Sequence, residues 1–468
     1  MIDQSNFKLW LSEKTNYSPK TISNIVSRLK RADSILPWFN DPLYIFKLEH
    51  NDTYQLLPCD VKSQLKRAVT LYCKYADDSR DKNIRNLSRH NVLSLFANIG
   101  VAEAYLNELG INVVVANELI ERRAVLYSKI YPDSHMICGD ITKDSIFEQI
   151  VDESIKNEVE IIMATPPCQG MSTAGQQAEN DERNLLICQV INAVLRINPK
   201  YVFIENVPLF YQTKILVDGQ SVLIPDLIGN KLGDKYVINK YVIDTKDYSV
   251  PQTRERAIIL MTRKDISKTW ELPPKDDCVV TMKDAIGNIP IIDPYVDDVS
   301  EQELLQMFPH YYEREKVALS ISPWNIPPHH VKRQVVAMQH TPTGCTAFDN
   351  PQYYPIKENG EPVKGYHNTY KRQNWNTPAY TVTMDNRKIS SQNNVHPGRL
   401  EFIDKSGNAI YSDPRALTLY ELMLIMSLPS NWPIPCDTSE AFLRRIIGEG
   451  IPPVFVKKVF NNLIQEHY

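Results

Sequence analysis

The chain of 468 residues is 43% hydrophobic and carries a net charge of −4, enough apolar content for one large core with one or two satellites rather than a single domain. It has no run of roughly 18 apolar residues, and the opening MIDQSNFKLW has no basic-then-apolar signal, which argues against a helical membrane protein and predicts a cytoplasmic one. Eight scattered cysteines without a CxxC pair suggest neither a disulfide framework nor a zinc site, and no metal is expected.

Charge is uneven along the chain: residues 1–90 hold fifteen Lys and Arg against ten Asp and Glu, and the remainder holds thirty-seven against forty-six. A basic segment on an acidic body suits phosphate contact, and suits a solvated helical surface equally well. Residues 1–88 read as a helical extension whose role the sequence leaves open. Ser18 is a plausible N-cap with Pro19 in the first turn, and Ile22, Ile25, Val26 and Leu29 form one apolar stripe, with Arg28, Lys30 and Arg31 largely off it.

From Asn91 the runs NVLSLF, NVVVAN, HMICG, EIIMAT and KYVFIE alternate with helical segments such as RRAVLYSKIY and LLICQVINAVL. That rhythm predicts βαβ units and a parallel sheet over residues 89–264. KYVINKYVID and RAIILM, with no long crossover between them, predict an antiparallel pair at one sheet edge. Residues 265–414, rich in Pro, Asn and Tyr, read as an irregular second domain, and residues 415–468 return to helix and complete the first.

Ligands of an open α/β sheet sit beyond the carboxyl ends of its strands. The turn LFANIGVAE follows the first strand, Glu118 ends the second, and Asp140 follows the third. An acid about twenty residues past the first turn suits a ribose hydroxyl, and Asp140 is placed to accept from an adenine amine. Taken alone, an acid at a strand end is more often a helix cap, and the order of the motifs matters more than either residue. ATPPCQGMS then follows the fourth strand, IENV ends the fifth, and PQTRERAII leads into a later strand. Cys168 and Glu205 thereby fall at one edge, and alternation is expected to put Gln252, Arg254 and Arg256 on a common face.

Taken in order with RALTLYELMLIMSLP and IGEGIPPVFVKKV, these motifs resemble those of the DNA (cytosine-5) methyltransferase family across about residues 90–465. Arg415, Thr418 and Glu421 match that family's Arg-x-Leu-Thr-x-x-Glu helix. The match departs on the cofactor side, where the usual Phe-x-Gly-x-Gly-Gly reads Phe96, Asn98, Gly100 and Val101, and where Glu449 replaces the Asn of the last motif. Asn visits the left-handed region more easily than other non-glycine residues and Val does not. Restoring glycine at either position is therefore expected to strengthen cofactor binding.

The resemblance implies a Rossmann-like α/β methyltransferase that uses S-adenosylmethionine, with residues 265–414 as a separate target-recognition domain. It implies cofactor contacts at Phe96, Asn98, Gly100, Glu118, Leu119, Asp140, Ile141, Pro167, Glu449 and Ile451. Carbon-5 of cytosine is too weak a nucleophile to take a sulfonium methyl unaided, so Cys168 is expected to add to carbon-6 first, a task suited to a thiolate. Glu205 would bond ring nitrogen 3 as charge develops there, and Arg254 and Arg256 would hold the exocyclic oxygen, a phosphate or the nucleophile loop. Gln169, Ser172, Gln252 and Thr381 are the expected substrate contacts, and Asn206 is a further one that would also brace its turn.

Between Arg256 and Arg415, GYHNTYKRQNWNTPAYTVTMDNRKISSQNN interleaves Lys371, Arg372, Arg387 and Lys388 with Tyr366, Tyr370, Trp375 and Tyr380. That composition suits base edges. The expected partners are double-stranded DNA, with the target base flipped out, and a cognate restriction endonuclease, the enzyme itself being a monomer. The competing readings are an RNA cytosine-5 methyltransferase and a non-catalytic DNA-binding relative.

Overall fold

The structure is a computed structural model that describes residues 2–38, 44–49, 51–85, 90–167, 185–217, 219–350, 352–364, 370–389 and 393–467. The chain forms two compact units, Met1–Ser88 and Arg89–Tyr468. The first is helical: α1 (Gln4–Lys14), α2 (Pro19–Ile35), α3 (Tyr44–Glu49), α4 (Asp52–Gln55) and α5 (Cys59–Arg85). The Ser18 hydroxyl accepts from the Thr21 backbone, Pro19 opens α2, and Ile22, Ile25, Val26, Leu29 and Ala32 are buried. They join Phe7, Leu11, Val69 and Tyr72 in a core belonging to this unit alone.

The second unit is built on a seven-stranded sheet. Its strands are β1 (His90–Leu95), β2 (Ile111–Glu118), β3 (His135–Cys138), β4 (Ile161–Ala164) and β5 (Tyr201–Asn206), a small hairpin β6 (Lys214–Val217) and β7 (Gln220–Leu223) apart from the sheet, then β8 (Tyr236–Asp244) and β9 (Glu255–Arg263). The order is β3-β2-β1-β4-β5-β9-β8. The first five pair in parallel, and β9 runs antiparallel to both β5 and β8. Every position of β4 and β5 is buried, as for central strands covered on both faces. Chain order reverses between β1 and β4, the switch point beyond whose carboxyl ends an open α/β sheet binds its ligands.

Helices α6 (Glu121–Ile130), α7 (Asp144–Lys156), α8 (Leu186–Ile197) and α9 (Ile224–Leu232) follow the sheet strands, and α7 is one that the sequence reading did not name. One face of the sheet packs with Ile150, Ile187, Val190 and Leu227. The other is covered from the far end of the chain by α16 (Pro453–His467), whose Phe455, Val459 and Phe460 meet Val92, Ile161 and Phe203.

Residues 265–414 contain α10 (Met282–Ile286), α11 (Glu301–Met307), α12 (Tyr311–Ile321) and α13 (Lys332–Gln339), and α14 (Leu419–Ile425) and α15 (Glu440–Glu449) follow. Residues 265–414 belong to the second compact unit, with small apolar clusters of their own such as Val296, Leu304, Phe308 and Val335. Met282, Ile286 and Val382 share one apolar cluster with Ile99 and Val101 of the first turn and with Leu422 and Ile447. A buried charge network reinforces that cluster. Arg415 donates to both oxygens of Glu421, each at 2.8 Å, and to Asp413 at 2.8 Å, while Thr418 and Glu421 form the capping box of α14.

Candidate active site

Strand β1 hands the chain to a turn in which Phe96, Asn98 and Gly100 all have positive φ, at 60°, 52° and 80°. Only glycine fits the third position, because a Cβ there would lie 2.1 Å from the Tyr131 ring, whose hydroxyl donates to the Gly100 carbonyl. Asn98 takes the left-handed conformation that the sequence allowed it. Val101 has no positive φ and is buried against Gly450, so this turn requires no glycine at that position.

The turn is pinned to the end of β2. The Asn98 backbone N–H donates to Glu118 Oε2 and the Ile120 N–H donates to Oε1, both at 2.9 Å. One lone pair on each carboxylate oxygen remains for another donor. Asn98 Nδ2 donates to the Ile446 carbonyl at 3.3 Å, and its Oδ1 is buried with no hydrogen-bond partner among the described residues. Bonds from the backbone and hydroxyl of Thr142 hold the Asp140 carboxyl below its ordinary range and occupy one oxygen. Leu119, next to Glu118 at this strand end, is 63% exposed, an apolar side chain without cover. Ile141 and Ile451 are buried in the clusters on opposite faces of the sheet, so their side chains do not face that end.

Two polar residues that sequence reasoning missed shape the same region. Asn117 donates to the Ile137 and Gly139 carbonyls and fixes the end of β3 against β2. Arg123 forms a two-pronged pair with Glu449, at 2.8 and 3.1 Å, so the acid that replaces the usual Asn ties α15 to α6. An amide inside the apolar run NVVVAN was the available signal for Asn117; nothing local marked Arg123.

On the other side of the switch point, Thr165 donates to the Phe96 carbonyl, and Asn206 Nδ2 donates to the Pro166 carbonyl at 3.1 Å. The segment entering Pro167 is thus anchored to the ends of both β1 and β5. Cys168, Gln169 and Ser172 lie outside the described residues. Glu205 is the penultimate residue of β5 and Arg256 the second of β9, and the antiparallel pairing of the two strands brings Arg256 Nε to 2.7 Å from Glu205 Oε1. Both side chains are largely buried, which strengthens the attraction. Glu205 Oε2 has no protein donor among the described residues.

The other two members of the alternating set turn elsewhere, correcting the expectation of one shared face. Arg254 and Gln252 precede the regular strand and are buried. The Arg254 guanidinium donates to the Val382 and Gly448 carbonyls, each at 2.9 Å, and Gln252 accepts from the Val382 N–H at 3.0 Å. Together they fasten residues 379–382 to the sheet edge. Thr381 is exposed on that fastened segment, its hydroxyl donating to the Thr253 carbonyl. Arg372, grouped by sequence with the base-facing cations, is fully buried. It donates to the Met338, His396, Ser412 and Asp413 carbonyls, and burial pushes its guanidinium down to about 9. Lys371, Tyr380, Arg387 and Lys388 stay at least partly exposed, while Tyr366 lies outside the described residues.

Residues 90–465 match the family model for C-5 cytosine-specific DNA methylases. Over 380 residues, 80% of this chain and 98% of the relative, the sequence is 40% identical to the Type II methyltransferase M1.HgaI of Avibacterium volantium. It is 23% identical over 449 residues to the Type II methyltransferase M.Eco47II of Escherichia coli, covering 94% of this chain and 93% of that one. Among solved structures, one described as a DNA modification methyltransferase encoded within an E. coli prophage superposes with a TM-score of 0.55 at 20% identity, over 80% of this chain and 99% of that chain. Its likeness supports the Rossmann-like fold.

Proposed function

Because the chain belongs to the C-5 cytosine-specific DNA methylase family, we propose that it methylates carbon-5 of a flipped cytosine with S-adenosylmethionine, through a covalent adduct on Cys168. It is a DNA cytosine methyltransferase of the Type II restriction-modification kind.

The residues around the first turn fit the methyl donor. An orphaned buried acceptor on Asn98, the spare lone pairs of Glu118 and the uncovered Leu119 side chain are what amine, ribose hydroxyl and adenine would satisfy. Phe96, Asn98, Gly100, Glu118, Leu119, Asp140 and Pro167 would hold the cofactor, Ile141 and Ile451 only through their backbones, and Glu449 through its hold on Arg123. When bound, it supplies a sulfonium methyl as the electrophile.

The observation that carries the reading is the Glu205–Arg256 pair at the strand edge where Asn206 tethers Pro166, two residues before Cys168. A thiolate at Cys168 adds to carbon-6, and the electron pair moves toward carbon-5 and ring nitrogen 3. Glu205, fixed through one oxygen by Arg256, presents the other to nitrogen 3 and hydrogen-bonds it as charge gathers there. After carbon-5 is methylated, loss of its proton and departure of the thiolate restore the aromatic ring. Gln169, Ser172 and Thr381 would contact the target strand, while Gln252 and Arg254 act on it only through the segment they fasten. The target must leave the duplex, since a nucleophile and a methyl donor on opposite sides of carbon-6 and carbon-5 have no access inside the stack.

Bisulfite sequencing of DNA from a host expressing the protein tests the reading. Protected cytosines in one sequence context, absent with Cys168→Ala, are expected. Unmethylated host DNA beside methylated tRNA would favour the RNA enzyme instead. The Type II relatives make a cognate restriction endonuclease the expected partner, one whose cleavage this methylation blocks.

A further inference from the structure

We propose that the outward face of α2 binds the phosphate backbone of duplex DNA and adds sequence-independent contacts to those of the catalytic unit. The inference rests on duplex DNA being the substrate. Unit Met1–Ser88 has its own apolar core and lies outside residues 90–465, which match the family model. It therefore needs a reason other than catalysis.

That reason is visible in the helix. With Ile22, Ile25, Val26, Leu29 and Ala32 turned inward, the 3.6-residue period aligns Lys20, Asn24, Ser27 and Arg31 along the opposite side, and Arg28 and Lys30 flank that row. Five of these six are exposed and Arg28 is half-buried. None of the four cations has an acidic partner among the described residues. The helix has one acid, Asp33, which sits toward the buried side and accepts from the Trp38 backbone at 2.7 Å.

A solvated helix face ordinarily mixes signs, as Glu153 and Lys156 do on α7, where they pair at 3.0 Å. Cations three apart without a counter-charge, such as Arg28 and Arg31, repel one another and weaken the helix. Phosphates would remove that repulsion, and the small amide and hydroxyl side chains in the row are suited to hydrogen-bond phosphate oxygens. The net charges agree. Residues 91–468 carry an excess of nine acids, so their overall field opposes a polyanion, and the basic unit offsets it.

The test uses the full-length chain with Lys20, Arg28, Lys30 and Arg31 all changed to Gln, beside a charge-conserving variant in which Lys and Arg are exchanged at the same positions. Binding to a duplex of arbitrary sequence is followed by anisotropy from low to moderate salt. Each phosphate contact contributes about 0.9 to the slope of log affinity against log salt, so the Gln variant should be shallower by up to about 3.6 and bind on the order of tenfold or more weakly at low salt. The charge-conserving variant should keep the wild-type slope. Turnover at saturating DNA should be unchanged in both, which separates failure of this inference from failure of the methyltransferase reading. An unchanged slope and affinity in the Gln variant, or equal losses in both variants, would overturn the proposal.

Discussion

Replacing Val101 by glycine is expected to destabilise the catalytic unit without strengthening cofactor binding. Val101 does not adopt a positive φ, so a glycine relieves no strain there. Its side chain is 2% exposed, clusters with Ile99, Leu126 and Ile130, and fills the space against the Gly450 backbone. Burial of a valine side chain contributes about 1.5–3 kcal/mol, and the extra backbone freedom of glycine costs about 0.5–1 kcal/mol more. The loss should therefore be about 2–4 kcal/mol. With an unfolding entropy of about 2.1 cal/mol/K per residue, a unit the size of Arg89–Tyr468 has roughly 0.8 kcal/mol/K, so Tm should fall by about 3–5 °C. Scanning calorimetry reads this, and isothermal titration of S-adenosylmethionine should give equal or weaker affinity. Tighter binding at an unchanged Tm would refute the reasoning.

Asn98→Gly should behave differently: the left-handed backbone gains up to about 1 kcal/mol and the bond to Ile446 is lost, so calorimetry should find stability nearly unchanged. Glu205→Gln should lower turnover far more than DNA affinity, because the proposed bond to ring nitrogen 3 would strengthen in the transition state; equal losses in both would make Glu205 structural. Glu421→Gln should cost about 3–5 kcal/mol in urea unfolding, since it strips the fully buried Arg415 of a carboxylate. Burial raises the Glu103 carboxyl to about 7. The folded state then holds a proton the unfolded chain has released, so stability should fall as pH rises from about 4.5 to about 7, by on the order of 3 kcal/mol. Glu103→Gln, which keeps an acceptor for the Tyr127 hydroxyl, should flatten that slope.

Period and order made the sheet legible. NVLSLF, NVVVAN and KYVFIE are short apolar runs, spaced by helical stretches, that suit a covered parallel sheet, and β8 and β9 lacked a crossover between them. The ends of those strands then placed Glu118, Glu205 and the Asn206 brace. Alternation failed at Gln252 and Arg254 because they precede regular β9 and are drawn to Val382 and Gly448, more than a hundred residues away in sequence. Arg372 read as a surface cation because nothing local reveals four carbonyls converging from distant loops. Residues 265–414 read as a distinct segment because their composition changes, and composition could not show that some of their apolar residues, Met282, Ile286 and Val382 among them, pack with Ile99 and Val101 of the first turn. The glycine rule misled at Val101 because it assumed the backbone angles of a turn that here closes on Gly450.

The central claim is that Cys168 forms a covalent bond to the target cytosine, and trapping on duplex DNA substituted with 5-fluorocytosine tests it most directly. Fluorine at carbon-5 cannot leave as a proton does, so the adduct should persist after methyl transfer. With S-adenosylmethionine present, the wild-type protein should give a denaturant-resistant protein–DNA species whose peptide map places the link at Cys168, and Cys168→Ala should give none. An adduct that survives Cys168→Ala, or a wild-type enzyme that methylates cytosine without ever being trapped, would contradict it.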